Sequence, residues 1–80
     1  MLEKLKTANK VVGIKQLKRA LREHTAGTVF LAEDADPRLM EPLRAACEEA
    51  QVELVMVPTM QELGKACSIA VGAAAAAILR

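Results

Sequence analysis

The sequence predicts a single α/β domain in which helices cover both faces of one sheet. The chain has 80 residues, a length that suits one domain with one shared core. Short apolar runs at residues 28–32 and 52–57 alternate with segments whose apolar positions recur at helical spacing. Hydrophobic residues make up 52% of the chain and charged residues 26%, which favours a compact fold over a disordered tail. The resulting order, α-β-α-β-α-β-α-β, implies mostly crossover connections.

The first two elements are short. Leu2 and Leu5, set among Lys and Glu, predict an amphipathic helix over residues 1–8. A turn at residues 9–10 leaves this helix, and the two valines at residues 11–12 predict a brief strand.

The next element is a helix over residues 13–22 with two different faces. Its apolar stripe consists of Ile14, Leu17 and Leu21, and its basic stripe of Lys15, Lys18, Arg19 and Arg22. Like charges at i,i+4 destabilise a helix by roughly 0.2–0.5 kcal/mol per pair. Glu23 is the one acid placed to form an ion pair with a cation of this stripe, because it lies four residues after Arg19. Gly13 stands at the helix start, where unpaired N–H groups favour negative charge and glycine allows close approach. The basic stripe is therefore either an anion-binding surface or a solvated helix face.

This helix should end near Glu23 or His24, because Gly27 suits the left-handed position that follows many helices. His24 is the only histidine, and no Cys, Asp or second His lies at ligand spacing from it. We therefore interpret His24 as a residue of the helix C-terminus, where a cation is favourable, rather than as a metal ligand or general base.

Residues 28–32 are the best candidate for a central strand buried on both faces. Glu33, Asp34 and Asp36 follow, and three acids so close together indicate either a cation or acid–base site or helix capping. Because Pro37 comes next, capping is the simpler account: Asp36 caps the following helix and Pro37 occupies its first position.

The capped helix is predicted over residues 37–50. Its buried stripe consists of Met40, Leu43, Cys47 and Ala50, with Glu48 and Glu49 in water. Residues 52–57 then predict a second central strand, in which Glu53 is the weak point and which Pro58 ends.

The last helix begins at a capping box formed by Thr59 and Glu62. The pair Gly64-Lys65 does not complete a phosphate-binding loop, because Thr59 stands at the position of the first glycine and Ala66 replaces the hydroxyl residue. No nucleotide or other cofactor is therefore predicted.

The last helix should end around Cys67, and a small uncharged connection follows at residues 68–72. The alanine run at residues 73–77, before Ile78 and Leu79, has two interpretations. Alanine propensity favours a helix, whereas small side chains also suit an inner strand where flanking helices come close. The alternation of helix and strand before this run favours the inner strand.

Charge is strongly separated along a chain whose formal net charge is only +1. Seven Lys and Arg against one Glu give residues 1–22 a charge of +6, whereas nine acids against two Arg give residues 23–62 a charge of −7. Such an asymmetry can steer a polyanion to one side of the molecule.

The remaining composition excludes several classes of protein. Cys47 and Cys67 do not have the spacing of a metal-binding or redox pair, and the sequence shows no secretory signal. Free thiols are therefore expected rather than a disulfide or zinc site. The longest apolar run is far below the roughly 20 residues that cross a bilayer, and a cytoplasmic location is expected. Phe30 is the single aromatic residue and lies in a predicted core strand, which argues against a stacking platform for single strands. No nucleophile and base stand at an interpretable spacing, so an enzyme is not expected.

Three separated stretches resemble the kink-turn RNA-binding ribosomal proteins, the family of the archaeal L7Ae protein. They are GIKQLKR at residues 13–19, AEDADP at residues 32–37, and LGKAC at residues 63–67 with the loop that follows. The stretches run in the family's order and spacing, and the resemblance spans residues 6–79 and is strongest to the small bacterial members. It implies a three-layer α/β/α sandwich with a four-stranded mixed sheet. It also implies binding to kink-turns, in which a short bulge is followed by tandem sheared G·A pairs.

The resemblance also implies roles for individual residues. In the family, a Gly-x-Asn-Glu-x-x-Lys motif at the start of the second helix reads the G·A pairs. Gly13 matches its glycine, Gln16 stands at the Glu position and Arg19 at the Lys position. Lys15 replaces the Asn and can only donate hydrogen bonds, whereas Gln16 still accepts through its amide oxygen.

The family's loop after the fourth helix covers a base extruded from the bulge. That role passes here to Ile69, Ala70, Val71 and Gly72. The alternative is that Ile69 and Val71 return to the core. Glu33 belongs to a matching stretch, and we expect it to brace the loop rather than to touch phosphate.

The sequence therefore predicts a non-enzymatic RNA-binding protein. Phosphate contacts are expected from Lys15, Lys18, Arg19, Arg22 and Lys65. The expected partner is structured RNA with kink-turns, such as ribosomal RNA or a riboswitch. The protein is expected to be a monomer, and no metal, DNA or membrane is expected to bind to it. The alternative is a protein-interaction module of the same fold, in translation or signalling, whose acidic flank meets a basic partner.

Overall fold

The structure is a computed structural model that describes residues 4–80, so the prediction for Leu2 lies outside the described residues. The elements are α1 (Lys4–Thr7), β1 (Lys10–Val12), α2 (Ile14–Arg22), β2 (Ala26–Ala32), α3 (Pro37–Ala50), β3 (Glu53–Val57), α4 (Met60–Ala66) and β4 (Ala75–Leu79). Within residues 4–80, the predicted alternation of helices and strands is confirmed.

The strands form one mixed sheet in the order β1-β4-β2-β3. β2 and β3 are parallel and joined by the crossover helix α3, whereas β4 runs antiparallel to both β1 and β2. α2 and α3 pack together against the sheet, and α4 forms the layer on its other face. The predicted three-layer α/β/α sandwich is thereby confirmed.

The alanine run forms the inner strand β4. The side chains of Ala75, Ala76 and Ala77 are 0% exposed, and the strand lies between β1 and β2. Pairing on both sides satisfies its backbone groups, and its small side chains let the helical layers approach the sheet. These tertiary contacts outweigh the helix propensity of alanine.

The prediction that residues 52–57 form a second central strand is wrong. β3 lies at the edge of the sheet and pairs with β2 alone in the described chain. Glu53 marks this edge: its exposed carboxylate accepts a hydrogen bond from the Thr28 hydroxyl at 3.2 Å. Val57 is the one residue of β3 that is buried.

The core is a single cluster to which every helix contributes a leucine. Leu5, Leu17, Leu43 and Leu63 are at most 1% exposed, and the same cluster includes Phe30 of β2, which is 0% exposed. Removing one such side chain from water stabilises the fold by roughly 1.5–3 kcal/mol. The free thiols Cys47 and Cys67 also belong to this cluster, and burial raises the pKa of each thiol.

The helix start at Asp36 forms as predicted, whereas the capping box at Thr59 forms only by half: among the described residues, the Glu62 carboxylate does not accept the Thr59 backbone N–H. The Asp36 carboxylate accepts a hydrogen bond from the Arg38 backbone N–H at 2.9 Å, and α3 begins at Pro37. Thr59 Oγ1 accepts the Glu62 backbone N–H at 3.0 Å at the start of α4.

The predicted end of α2 is wrong in one respect. His24, and not Gly27, adopts the left-handed conformation, with φ 59°. The Thr25 backbone N–H closes the turn by donating to the Ala20 carbonyl at 2.9 Å, so His24 lies beyond the helix and not in its last turn. The turn is completed early because β2 already begins at Ala26, and Gly27 sits in that strand where its register with β4 shifts.

Candidate nucleic-acid interface

Distant parts of the chain meet at the end of the sheet where three strands terminate. We call this end the sheet edge, and it differs from the lateral edge formed by β3. β1, β2 and β3 end at this edge, and the antiparallel strand β4 begins there. The Gly13 N–H donates to the Ala75 carbonyl at 2.8 Å, and the Ala32 N–H donates to the Ala74 carbonyl at 2.9 Å. The start of α2, the acidic segment at residues 33–36 and the residues that lead from the loop at residues 68–72 into β4 are therefore neighbours.

Gly13 gives the start of α2 a shape that other residues adopt with strain. Its backbone has φ +109° and ψ 155°, and its carbonyl accepts the Leu17 N–H at 3.0 Å as the first bond of the helix. A Cβ at this position would lie 2.7 Å from Gln16 Oε1. The glycine therefore lets the exposed Gln16 amide fold back over the helix start.

The four predicted cations of α2 are all exposed. Lys15, Lys18, Arg19 and Arg22 line, with Gln16 and Glu23, a concave surface of about 590 Å³. Arg19 Nε lies 3.3 Å from Glu23 Oε2, and within residues 4–80 it is the one cation of this helix that pairs with a carboxylate. Because both partners are largely exposed, this pair contributes only about 0–1 kcal/mol. The surface can therefore offer its charge to an anionic ligand.

The predicted residues do not all lie at the sheet edge. Lys15 and Gln16 occupy the first turn of α2, beside Gly13. Arg22 ends the helix, about 10 Å farther along the axis than Lys15 at 1.5 Å per residue. The basic surface thus begins at the sheet edge and runs away from it.

The loop that follows α4 projects apolar side chains into solvent. Ile69 is 37% exposed and Val71 is 71% exposed, so neither returns to the core. Ala70 and Gly72 are exposed as well, whereas Ala73 is buried and returns the chain to the sheet. Lys65 is exposed on α4, which leads into this loop.

The acidic segment supports the edge through hydrogen bonds. Arg38, through its guanidinium and its backbone N–H, holds the pKa of the Asp36 carboxyl below its ordinary value. Asp34 Oδ1 accepts the Met60 N–H at 2.8 Å, a bond that links the segment to the start of α4. Sequence reasoning missed this role for Asp34, because its partner is 26 residues away and no local pattern reports it. Glu33 is exposed, and its backbone N–H donates to the Val57 carbonyl at 2.7 Å.

His24 lies away from this edge, on a groove between α2 and α3 of about 470 Å³. The groove has an apolar floor that includes Leu21, Leu43 and Ala46, and Lys18 and Arg22 stand on its wall. Among residues 4–80, no three His, Cys, Asp or Glu side chains are grouped so that they could hold a metal ion. Within the same residues, no helix has the length and apolar character needed to cross a membrane.

A model of the family described as "Ribosomal protein L7Ae/L30e/S12e/Gadd45 family" matches residues 1–80. The chain is 53% identical over 79 residues to an "RNA-binding protein" of Geobacillus thermodenitrificans, which covers 98% of this chain and 96% of that protein. It has the same identity and coverage with "RNA-binding protein YbxF" of Geobacillus stearothermophilus.

The fold is also similar to solved structures. The chain superimposes on the "Giardia lamblia 15.5kD RNA binding protein" with a TM-score of 0.89 at 28% identity. The superposition covers 99% of this chain and 70% of that chain.

Proposed function

The chain belongs to the ribosomal protein L7Ae/L30e/S12e/Gadd45 family, and on this premise we propose that it binds structured RNA and recognises kink-turns. Relatives that share 53% of its sequence are named RNA-binding proteins. The observation that carries the proposal is that the basic first turn of α2 and the residues leading from the exposed apolar loop at residues 68–72 into β4 lie at the same sheet edge.

In this proposal the start of α2 reads the sheared G·A pairs. Arg19 and Lys15 donate hydrogen bonds to guanine O6 and N7, and the Gln16 amide oxygen accepts one from a base amino group. Gly13 adds no side chain of its own at the helix start, so the Gln16 amide can lie there and present its oxygen to the bases. A regular RNA helix has a major groove too deep and narrow for side chains, and recognition therefore requires the opening that a kink provides.

The loop supplies an uncharged surface for the base that leaves the stack. Ile69 and Val71 are exposed in the free protein and would lose water on contact with an unstacked base. Ala70 and Gly72 leave room for that base, because neither carries a large side chain. In this proposal the helix supplies charge for the RNA, and the loop supplies a surface whose shape fits the unstacked base.

The affinity common to all RNA comes from phosphate contacts. Lys18 and Arg22 follow the basic surface away from the edge, and Lys65 contributes from α4. The protein then captures the kinked RNA from a mixture with extended RNA, a shift in population that needs no chemistry and no enzyme activity. Ribosomal RNA and riboswitches are the proposed targets, and a cytoplasmic monomer is the proposed form.

The test is a titration with two short RNAs at several salt concentrations. One contains a kink-turn, and the other has its sheared G·A pairs replaced by Watson–Crick pairs. We expect at least tenfold tighter binding to the first. With about three phosphates neutralised by Lys18, Arg22 and Lys65, log affinity should fall against log salt with a slope of roughly −2 to −3. Equal affinity for both RNAs, or a slope near zero, would contradict the proposal.

The second candidate is a protein-interaction module of the same fold. The groove between α2 and α3 favours it, because an apolar floor beside Lys18 and Arg22 suits an amphipathic partner. Equally weak binding of both RNAs would favour this candidate over RNA recognition.

A further inference from the structure

We infer that Gly64 and Asp34 are positioning residues, which hold the loop at residues 68–72 in the shape that receives RNA without contacting RNA themselves. The inference rests on the proposed function of this loop. Both residues lie outside the proposed binding surface, and their contacts explain how the apolar loop stays exposed.

Gly64 lets the loop lie directly on α4. It is buried in the middle of this helix, and glycine is a poor helix former. A Cβ at this position would collide with the Val71 carbonyl oxygen and would lie 3.0 Å from Gly72 Cα. The backbone of the loop therefore occupies the space that a side chain at position 64 would need.

Asp34 fixes the residue that anchors the far end of the loop. Its carboxylate accepts the Met60 N–H at 2.8 Å, and the Met60 carbonyl in turn accepts the Ala73 N–H at 3.0 Å. Gly72 also packs on Met60, since a Cβ at position 72 would lie 3.2 Å from Met60 Cβ. Asp34 thus reaches the loop through one intermediate residue.

These contacts act on both ends of the loop. At its start the Ile69 N–H donates to the Gly64 carbonyl at 3.1 Å, and at its end Ala73 is bonded to Met60. Between these anchors Val71 is 71% exposed, a costly arrangement for an apolar side chain that could otherwise fold inward. Holding the loop before RNA arrives lowers the entropy lost on binding.

The first test is Gly64→Ala. Alanine favours the helix, so α4 should persist while the new methyl group displaces the Val71 backbone. We expect affinity for the kink-turn RNA to fall at least tenfold. The dependence of affinity on salt should keep the wild-type slope, because the cations of α2 do not move. An affinity within twofold of wild type would overturn the inference.

The second test compares Asp34→Ala with Thr59→Ala. Each variant removes one side-chain acceptor at the start of α4, but only Asp34 binds the N–H of Met60. We expect Asp34→Ala to weaken RNA binding at least fivefold and Thr59→Ala to leave affinity within twofold. Asp34→Asn should restore binding, because its amide oxygen can still accept the bond. Equal losses in the two alanine variants would reduce Asp34 to a general role in helix stability.

Hydrogen exchange of the Ala73 amide, measured without RNA, separates this inference from the proposed function. Exchange should be at least fivefold faster in Gly64→Ala and Asp34→Ala, and near the wild-type rate in Thr59→Ala. If the wild-type protein fails to select the kink-turn RNA, the proposed function fails, while faster exchange still supports the positioning of the loop. Unchanged exchange in both variants would overturn the positioning itself.

Discussion

The two halves of the candidate interface are held in place in different ways. α2 carries its own backbone hydrogen bonds, and its cations are exposed on a surface that helical spacing alone sets. The loop at residues 68–72 is uncharged, and its shape depends on Gly64 in α4 and on Asp34 in a distant segment. The charge that we propose attracts RNA is therefore a local property of one helix, whereas the surface that we propose selects the shape of the RNA depends on tertiary contacts.

The largest effect should follow from a change at the start of α2. Gly13→Ala places a Cβ 2.7 Å from Gln16 Oε1 at a φ of +109°. The backbone strain of a non-glycine residue at this φ costs about 1–3 kcal/mol, whereas the exposed Gln16 side chain can move away from the new methyl group. Both the free energy of unfolding and RNA affinity should therefore fall, the affinity at least tenfold. Urea denaturation and RNA titration measure the two quantities.

The matched control is Gly27→Ala, the same substitution in β2. A Cβ at position 27 meets its nearest atom, the Ile78 carbonyl oxygen, at 3.3 Å, and its φ lies outside the left-handed region. RNA affinity should stay within twofold of wild type. Equal losses of affinity in both variants would mean that the α2 start has no special part in binding.

Arg19→Ala tests the charged half of the interface. If Arg19 contacts a guanine through two hydrogen bonds, its loss costs about 1–3 kcal/mol, or roughly 5–150-fold in affinity. The loss should be larger for the kink-turn RNA than for its Watson–Crick counterpart. Glu23→Ala removes only the exposed partner of Arg19 and should leave affinity unchanged or slightly higher. The same loss on both RNAs would assign Arg19 to phosphate alone.

Val71→Ser and Lys18→Ala set the two halves directly against each other. The serine variant removes apolar contact and should weaken binding by about 1 kcal/mol, roughly fivefold, without changing the salt slope. The lysine variant should make the slope shallower by about 0.7–0.9, the contribution of one phosphate. A slope changed by Val71→Ser, or left unchanged by Lys18→Ala, would break the division into a charged and an uncharged half.

The smallest effect concerns thiol reactivity. Burial raises the pKa of Cys67 and Cys47 alike, with Lys10 opposing the rise at Cys67, so each thiol should react slowly with iodoacetamide at pH 8 and faster at higher pH. Cys67 ends α4 where the loop begins, whereas Cys47 lies in α3. Bound kink-turn RNA should therefore slow alkylation of Cys67 severalfold and leave Cys47 unchanged, as peptide mass spectrometry can measure. Equal protection of both thiols would indicate general stabilisation of the fold instead of closure over the loop.

Several elements could be predicted from the sequence because their causes are local. α2, its basic surface, and the caps at Asp36 and Thr59 depend on residues no more than about two helical turns apart. The salt bridge from Arg19 to Glu23 was predicted for the same reason. Of the residues assigned to RNA binding by the resemblance, only those of α2 could also be predicted from local sequence patterns. The loop residues depended on the resemblance itself.

Other features were decided by the tertiary structure. An alanine run becomes the inner strand β4 because two strands and two helical layers enclose it, although alanine by itself favours a helix. β3 lies at the edge, and His24 takes the turn predicted for Gly27, because strand order and the start of β2 are settled by pairing between distant segments. Asp34 and Gly64 acquire their contacts in the same way. Which helix carries the charge follows from the order of residues along the chain, since helical geometry acts over a few residues. Only the folded sheet decided what stands beside that helix, since a sheet joins segments that no local pattern relates.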